Sequence, residues 1–127
     1  RDAALSHLAA KEWQGKREAI FREIHAERER QDAKWGEQNH PVIDLATALG
    51  LRVLRDDARR MCDLHASKGE CTWFDILREE FYEAFAEDTP EGQRAELVQV
   101  AAVAVSIIEC IDRRAAPATS EKQEEKR

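Results

Sequence analysis

Trp73-Phe-Asp-Ile-Leu-Arg-Glu-Glu-Phe-Tyr-Glu-Ala-Phe85 is the stretch whose reading decides the fold. Trp73, Phe74, Ile76, Leu77, Phe81, Ala84 and Phe85 recur at the spacing of a helix with one apolar face. At about 100° per residue, Glu80 falls inside that apolar arc and Glu83 at its edge, while Glu79 points away. A second stretch, Glu96-Leu-Val-Gln-Val-Ala-Ala-Val-Ala-Val-Ser-Ile-Ile108, repeats the arrangement. Leu97, Val100, Val103, Ala104, Ile107, Ile108 and Ile111 set its buried direction, with Glu96 inside the arc and Gln99 at its edge. The connection Asp88-Thr-Pro-Glu-Gly92 is short enough for an antiparallel hairpin, which would let the two polar pairs converge.

Converging carboxylates need a partner. Burying an ionised carboxylate alone is costly, so glutamates turned inward require protonation, basic partners or a cation. Oxygen donors without Cys or His select a hard divalent ion, Mg²⁺ or Mn²⁺, over zinc. Mg²⁺ commonly keeps waters and takes phosphate oxygens as further ligands, so the substrate would carry phosphates. In a chain that is 36% charged, a single Glu-x-x-Glu is more often a solvated helix face. Two inward pairs on neighbouring helices are rarer, and they carry the metal reading.

At these residues the chain resembles the MazG-like all-α nucleoside triphosphate pyrophosphohydrolases. The signature of that family is Glu-Glu-x-x-Glu followed, after a dozen or more residues, by Glu-x-x-Asp. This sequence has Glu79-Glu80-Phe-Tyr-Glu83, then twelve residues, then Glu96-Leu-Val-Gln99. The resemblance spans roughly residues 20–114 and implies metal ligation by Glu80, Glu83, Glu96 and Gln99. It also implies Mg²⁺-dependent cleavage of an NTP or dNTP to the monophosphate and pyrophosphate, with Mn²⁺ as a possible substitute, by a homodimer or tetramer. Glu79 flanks the ligands and is the candidate for activating water. Gln99 departs from the family pattern, because an amide oxygen brings no charge. A catalytically impaired helical module, retained for nucleotide binding or dimer-mediated protein interaction, is therefore the alternative.

Outward from the two motifs, the chain reads as an all-α bundle of about four helices in a single domain, residues 1–114. The first helix runs from about Lys16, or earlier, to Lys34, with Ile20, Phe21 and Ile24 buried, and is broken by the Gly36 to Pro41 stretch. A second from about Asp44 to Ser67 would bury Leu45, Leu49, Val53, Leu54, Met61 and Leu64 before Gly69 ends it. Thr72 caps the third, with Asp75 completing a capping box. The fourth runs from near Glu91 to about Arg114. Residues 115–127 contain no large apolar side chain and read as a disordered charged tail. The fourth helix is apolar around most of its circumference, with Val98, Ala102 and Val105 opposite Glu96. A second subunit is expected to cover that face.

The segment from Glu27 to Pro41 is the second informative region. Arg28, Gln31 and Trp35 extend the Ile20 and Ile24 stripe, so a guanidinium, an amide and an indole would face inward just before a loop. Trp35 is suited to stack on a base, Gln31 to read its polar edge, and Arg28 or Lys34 to meet phosphates. A core anchor is an equal reading for Trp35 alone. His40, beside Asn39 in the loop, resembles the base-contacting region of the family, whereas His25 and His65 read as structural.

Composition narrows the classes. With 20 Lys+Arg against 26 Asp+Glu, the net charge is −6, and no basic tract occurs, which argues against a nucleic-acid polymer as partner. Cys62, Cys71 and Cys110 lack zinc spacing, and no 18-residue apolar run or signal peptide is seen. A reduced, cytoplasmic protein without membrane contact is expected. No Gly-rich phosphate loop, nucleophile elbow, His-Glu-x-x-His or His-Asp dipeptide offers other hydrolase chemistry a foothold.

Overall fold

A computed structural model describes residues 2–117, and all regular structure among them is helical. The helices are α1 (Asp2–Trp35), α2 (Leu45–Ser67), α3 (Trp73–Ala86) and α4 (Pro90–Ala115). The all-α expectation holds. The first helix begins well before Lys16, and from residue 118 the expected tail lies outside the described residues. Among the described residues, no helix is long and apolar enough to cross a membrane.

The helix ends form where local chemistry satisfies the free backbone groups. Asp44 caps α2 by accepting the Thr47 N–H at 2.8 Å. At the other end Gly69 takes φ 70°, a conformation that penalises any side chain, and the Glu70 N–H reaches the His65 carbonyl at 2.8 Å. Thr72 and Asp75 form the reciprocal capping box of α3. Thr89 caps α4, and Pro90 fills the first helical position, where its missing N–H is harmless. Gly36, at φ 68°, ends α1 in the same way that Gly69 ends α2.

The short links make α2, α3 and α4 an antiparallel layer in which α3 packs on both neighbours, while among the described residues α1 touches only α4. Small side chains let the layer close: Ala58 on α2 and Ala84 and Ala86 on α3 are buried, Ala84 to 1% exposure. The α1–α4 seam is built from Ile20, Val105 and Glu109, all buried, with the Arg17 guanidinium placing two nitrogens 3.3 Å from the two Glu109 oxygens.

Several expected core residues lie elsewhere. On α2, Leu51 and Ala58 face inward, whereas Leu45, Leu49, Val53, Leu54, Met61 and Leu64 are exposed. The reason is that α2 has one helical neighbour, so a helix apolar on two sides can bury only one of them. Phe21 and Ile24 are likewise exposed, since among the described residues α4 is the one helix that α1 packs on and Ile20 is the buried apolar residue of α1. On the apolar faces of α3 and α4, Phe74, Phe81, Leu97 and Ile111 are exposed, while of the opposite side of α4, expected to stay open within one chain, Val105 is buried and Val98 and Ala102 are exposed.

Candidate functional site

The α3–α4 hairpin brings together three of the four side chains expected to converge. One carboxylate oxygen each from Glu80, Glu83 and Glu96 lie within 4.8 Å of one another, and all three residues are half-buried. Glu80 and Glu83 sit one turn apart on α3, and Glu96 is in the second turn of α4, brought opposite by the Glu87 to Thr89 link. Burial pushes the Glu80 carboxyl above its ordinary value, and the neighbouring Glu83, Glu96 and Glu79 charges push it further. One Glu80 oxygen, Oε2, is buried without a hydrogen-bond partner. An oxygen-only donor set with an orphaned buried oxygen and mutual repulsion fits a hard divalent cation.

Arg59 is the basic group that reaches this cluster. Its Nε donates to Glu83 Oε1 at 3.1 Å from α2, so Glu83 stands where all three helices of the layer meet. Sequence periodicity gave no sign of this pairing, because Arg59 is one of many charged residues on α2 and only the fold selects it.

Gln99 lies one turn beyond Glu96 on α4 and is exposed. Glu79, expected to point away from the apolar arc, is half-buried and turned toward α2, where it neighbours Cys62 and Arg59. The physical reason is that α3 is covered on two sides, so the flank opposite its apolar arc also meets a helix.

The proposed substrate-binding residues occupy a different part of the chain. Arg28, Gln31, Lys34, Trp35 and His40 are all exposed, and α1 makes no contact with α2 or α3 among the described residues. The inward orientation expected for Arg28, Gln31 and Trp35 is therefore not met within one chain. Arg28 donates to Gln31 at 2.7 Å and to Asp32 at 2.9 Å along its own helix. Trp35 is 60% exposed with the Lys34 ammonium 4.9 Å from its ring centroid.

No family profile, curated protein or solved structure matches this chain.

Beyond the acid cluster, the structure brings together His65 and Asp75, with Nδ1 2.9 Å from Oδ2. Asp75 is 3% exposed and also accepts from the Thr72 N–H and hydroxyl, both at 3.1 Å. These bonds, led by that from His65, hold the Asp75 carboxyl below its ordinary value. The pair fastens the end of α2 to the cap of α3, which agrees with the structural reading of His65.

Proposed function

We propose that this chain is a divalent-cation-dependent hydrolase that cleaves a nucleoside or deoxynucleoside triphosphate to the monophosphate and pyrophosphate. The observation that carries the reading is the convergence of Glu80, Glu83 and Glu96, with the raised carboxyl and orphaned oxygen of Glu80. The spacing of Glu79-Glu80-Phe-Tyr-Glu83 and Glu96-Leu-Val-Gln99, which resembles the MazG-like signature, supports the substrate class.

Glu80, Glu83 and Glu96 would hold the cation through their carboxylate oxygens, with the Gln99 amide as a further candidate ligand. A divalent cation held there would supply charge neutralisation for the phosphates. Glu79, on the same helix, takes a proton from the attacking water. Arg59 balances Glu83 until phosphate enters and can then pair with a phosphate oxygen. Trp35, Gln31, Arg28, Lys34 and His40 hold the base and outer phosphates.

Within one chain the base-binding group is exposed at the end of α1 and in the loop after it, and among the described residues α1 touches α4 but neither α2 nor α3, the helix that carries Glu80 and Glu83. A homodimer, or a tetramer built from it, resolves this: the α1 arm of one copy reaches the α3–α4 cluster of the other. The uncovered apolar sides of α1, α2 and α4 supply the interface.

Gln99, where the signature has an acid, favours a second reading, a module that binds nucleotides without turning them over. A panel of NTPs and dNTPs with Mg²⁺, read by pyrophosphate release, separates the two. The hydrolase reading expects release from at least one nucleotide, abolished by Glu83→Gln. Binding of nucleotide with no release from any of them would leave the second reading.

A further inference from the structure

The turn between α2 and α3 carries two thiols that the proposed hydrolysis does not use. Cys62 is on α2 and half-buried, and Cys71 immediately precedes the α3 cap residue and is exposed. Their Sγ atoms are 4.0 Å apart. Cys110, the remaining thiol, is on α4. A disulfide needs a separation of about 2.05 Å, which rotation of two short side chains and a small loop shift can supply. Residues 68–72 lie outside helix, and Gly69 gives that loop its freedom. The segments on either side are held at this spacing by the His65–Asp75 pair at 2.9 Å. Proximity is therefore built into the fold, on both sides of one clasp.

We propose that Cys62 and Cys71 are a reversible modification site, closing to an intramolecular disulfide with hydrogen peroxide as the oxidant. In the first step the Cys71 thiolate attacks one peroxide oxygen, the O–O bond breaks, and the departing hydroxide leaves as water after taking a proton, giving Cys71 sulfenic acid. In the second step Cys62 Sγ attacks Cys71 Sγ, the S–O bond breaks, the Cys62 proton goes to the departing hydroxyl, and a second water leaves. Two thiols have lost two electrons and two protons, and one hydrogen peroxide has become two waters. The order follows from the surroundings. Cys71 is exposed and open to the oxidant, whereas Cys62 is half-buried, and burial, then the neighbouring Glu79 and Cys71, push its thiol up to about 12, so it reacts with free peroxide more slowly than Cys71 and attacks only once the Cys71 sulfenic acid is held beside it. The bond would tie α2 to the start of α3, the helix that carries Glu79, Glu80 and Glu83, and it does not depend on what those glutamates bind.

The test uses the full chain, reduced and then treated with equimolar hydrogen peroxide at neutral pH, with peptide mapping without reductant. The expected result is a Cys62–Cys71 linked peptide pair and a mass loss of about 2 Da per chain, reversed by dithiothreitol. The oxidised form should melt higher, by roughly 5 °C, because the crosslink restricts the unfolded chain. Cys71→Ser should show neither the mass loss nor the rise, while Cys110→Ser should show both. A gain of about 32 Da on Cys71, a Cys71–Cys71 bond between chains, or both thiols still open to alkylation would overturn the proposal.

Discussion

Glu80 is where burial and charge act against folding. Its carboxyl is held above the ordinary value of 4.5, first by burial and then by Glu83, Glu96 and Glu79. A carboxyl raised in the folded state costs nothing below its ordinary value, and the cost is complete once the pH exceeds the raised value. We predict that metal-free Glu80→Gln melts higher than wild type at pH 7, and that the difference closes as the pH falls below about 4. Thermal melts across that range check this, and an equal or lower melting temperature at pH 7 would remove Glu80 from the repulsive cluster. Gln99 gives a second residue-level test. Because it is exposed, Gln99→Asp adds a charge with little desolvation cost. If the position reaches the cation, the Mg²⁺ concentration for half-maximal turnover should fall several-fold, since hard cations favour charged oxygens. An unchanged half-saturation would place Gln99 outside the metal shell.

At the scale of helices, the His65–Asp75 clasp joins the end of α2 to the cap of α3, the helix that carries Glu79, Glu80 and Glu83. Asp75 accepts from His65 and from both donors of Thr72, and its carboxyl is lowered as a result. A group lowered in the folded state contributes stability that is present above its ordinary value of 3.8 and is lost as the pH falls through the lowered one. We predict that Asp75→Ala lowers the melting temperature at neutral pH and flattens the acid limb of the stability profile, which melts between about pH 2 and 7 would show. Wild-type behaviour on both counts would mean that the clasp contributes nothing.

The helices themselves were readable from the sequence: the Thr72 to Asp75 box, the Gly69 stop and the turn at Gly36 each act locally. The inward glutamates were readable because their period matches that of the apolar residues beside them. What α2 buries was not, since Leu49 and Leu51 are equally apolar and only the neighbour supplied by the fold chooses between them. Arg59 with Glu83 and Arg17 with Glu109 join residues 24 and 92 positions apart, beyond any local pattern. Trp35 shows the same limit. Its stripe position was legible, but α1 has no neighbour there to make that face an inside.

At the scale of the whole molecule, the described residues expose large apolar side chains on all four helices, and the residues proposed to bind nucleotide lie on and after α1, which does not touch α3. The proposed pairing of two copies would account for both features. Sedimentation equilibrium should return at least twice the 14.5 kDa chain mass, and a monomer at micromolar concentration would sink the composite site. The central claim is that the glutamates of α3 and α4 hold a divalent cation for phosphate chemistry. Calorimetric titration with Mn²⁺ tests it most directly, with wild type beside Glu80→Gln and Glu83→Gln, each first shown to melt cooperatively. Saturable binding of about one ion per chain in wild type, lost or weakened at least ten-fold in both variants, is the predicted result. Equal affinity in all three proteins, or no binding by wild type at millimolar Mn²⁺, would contradict it.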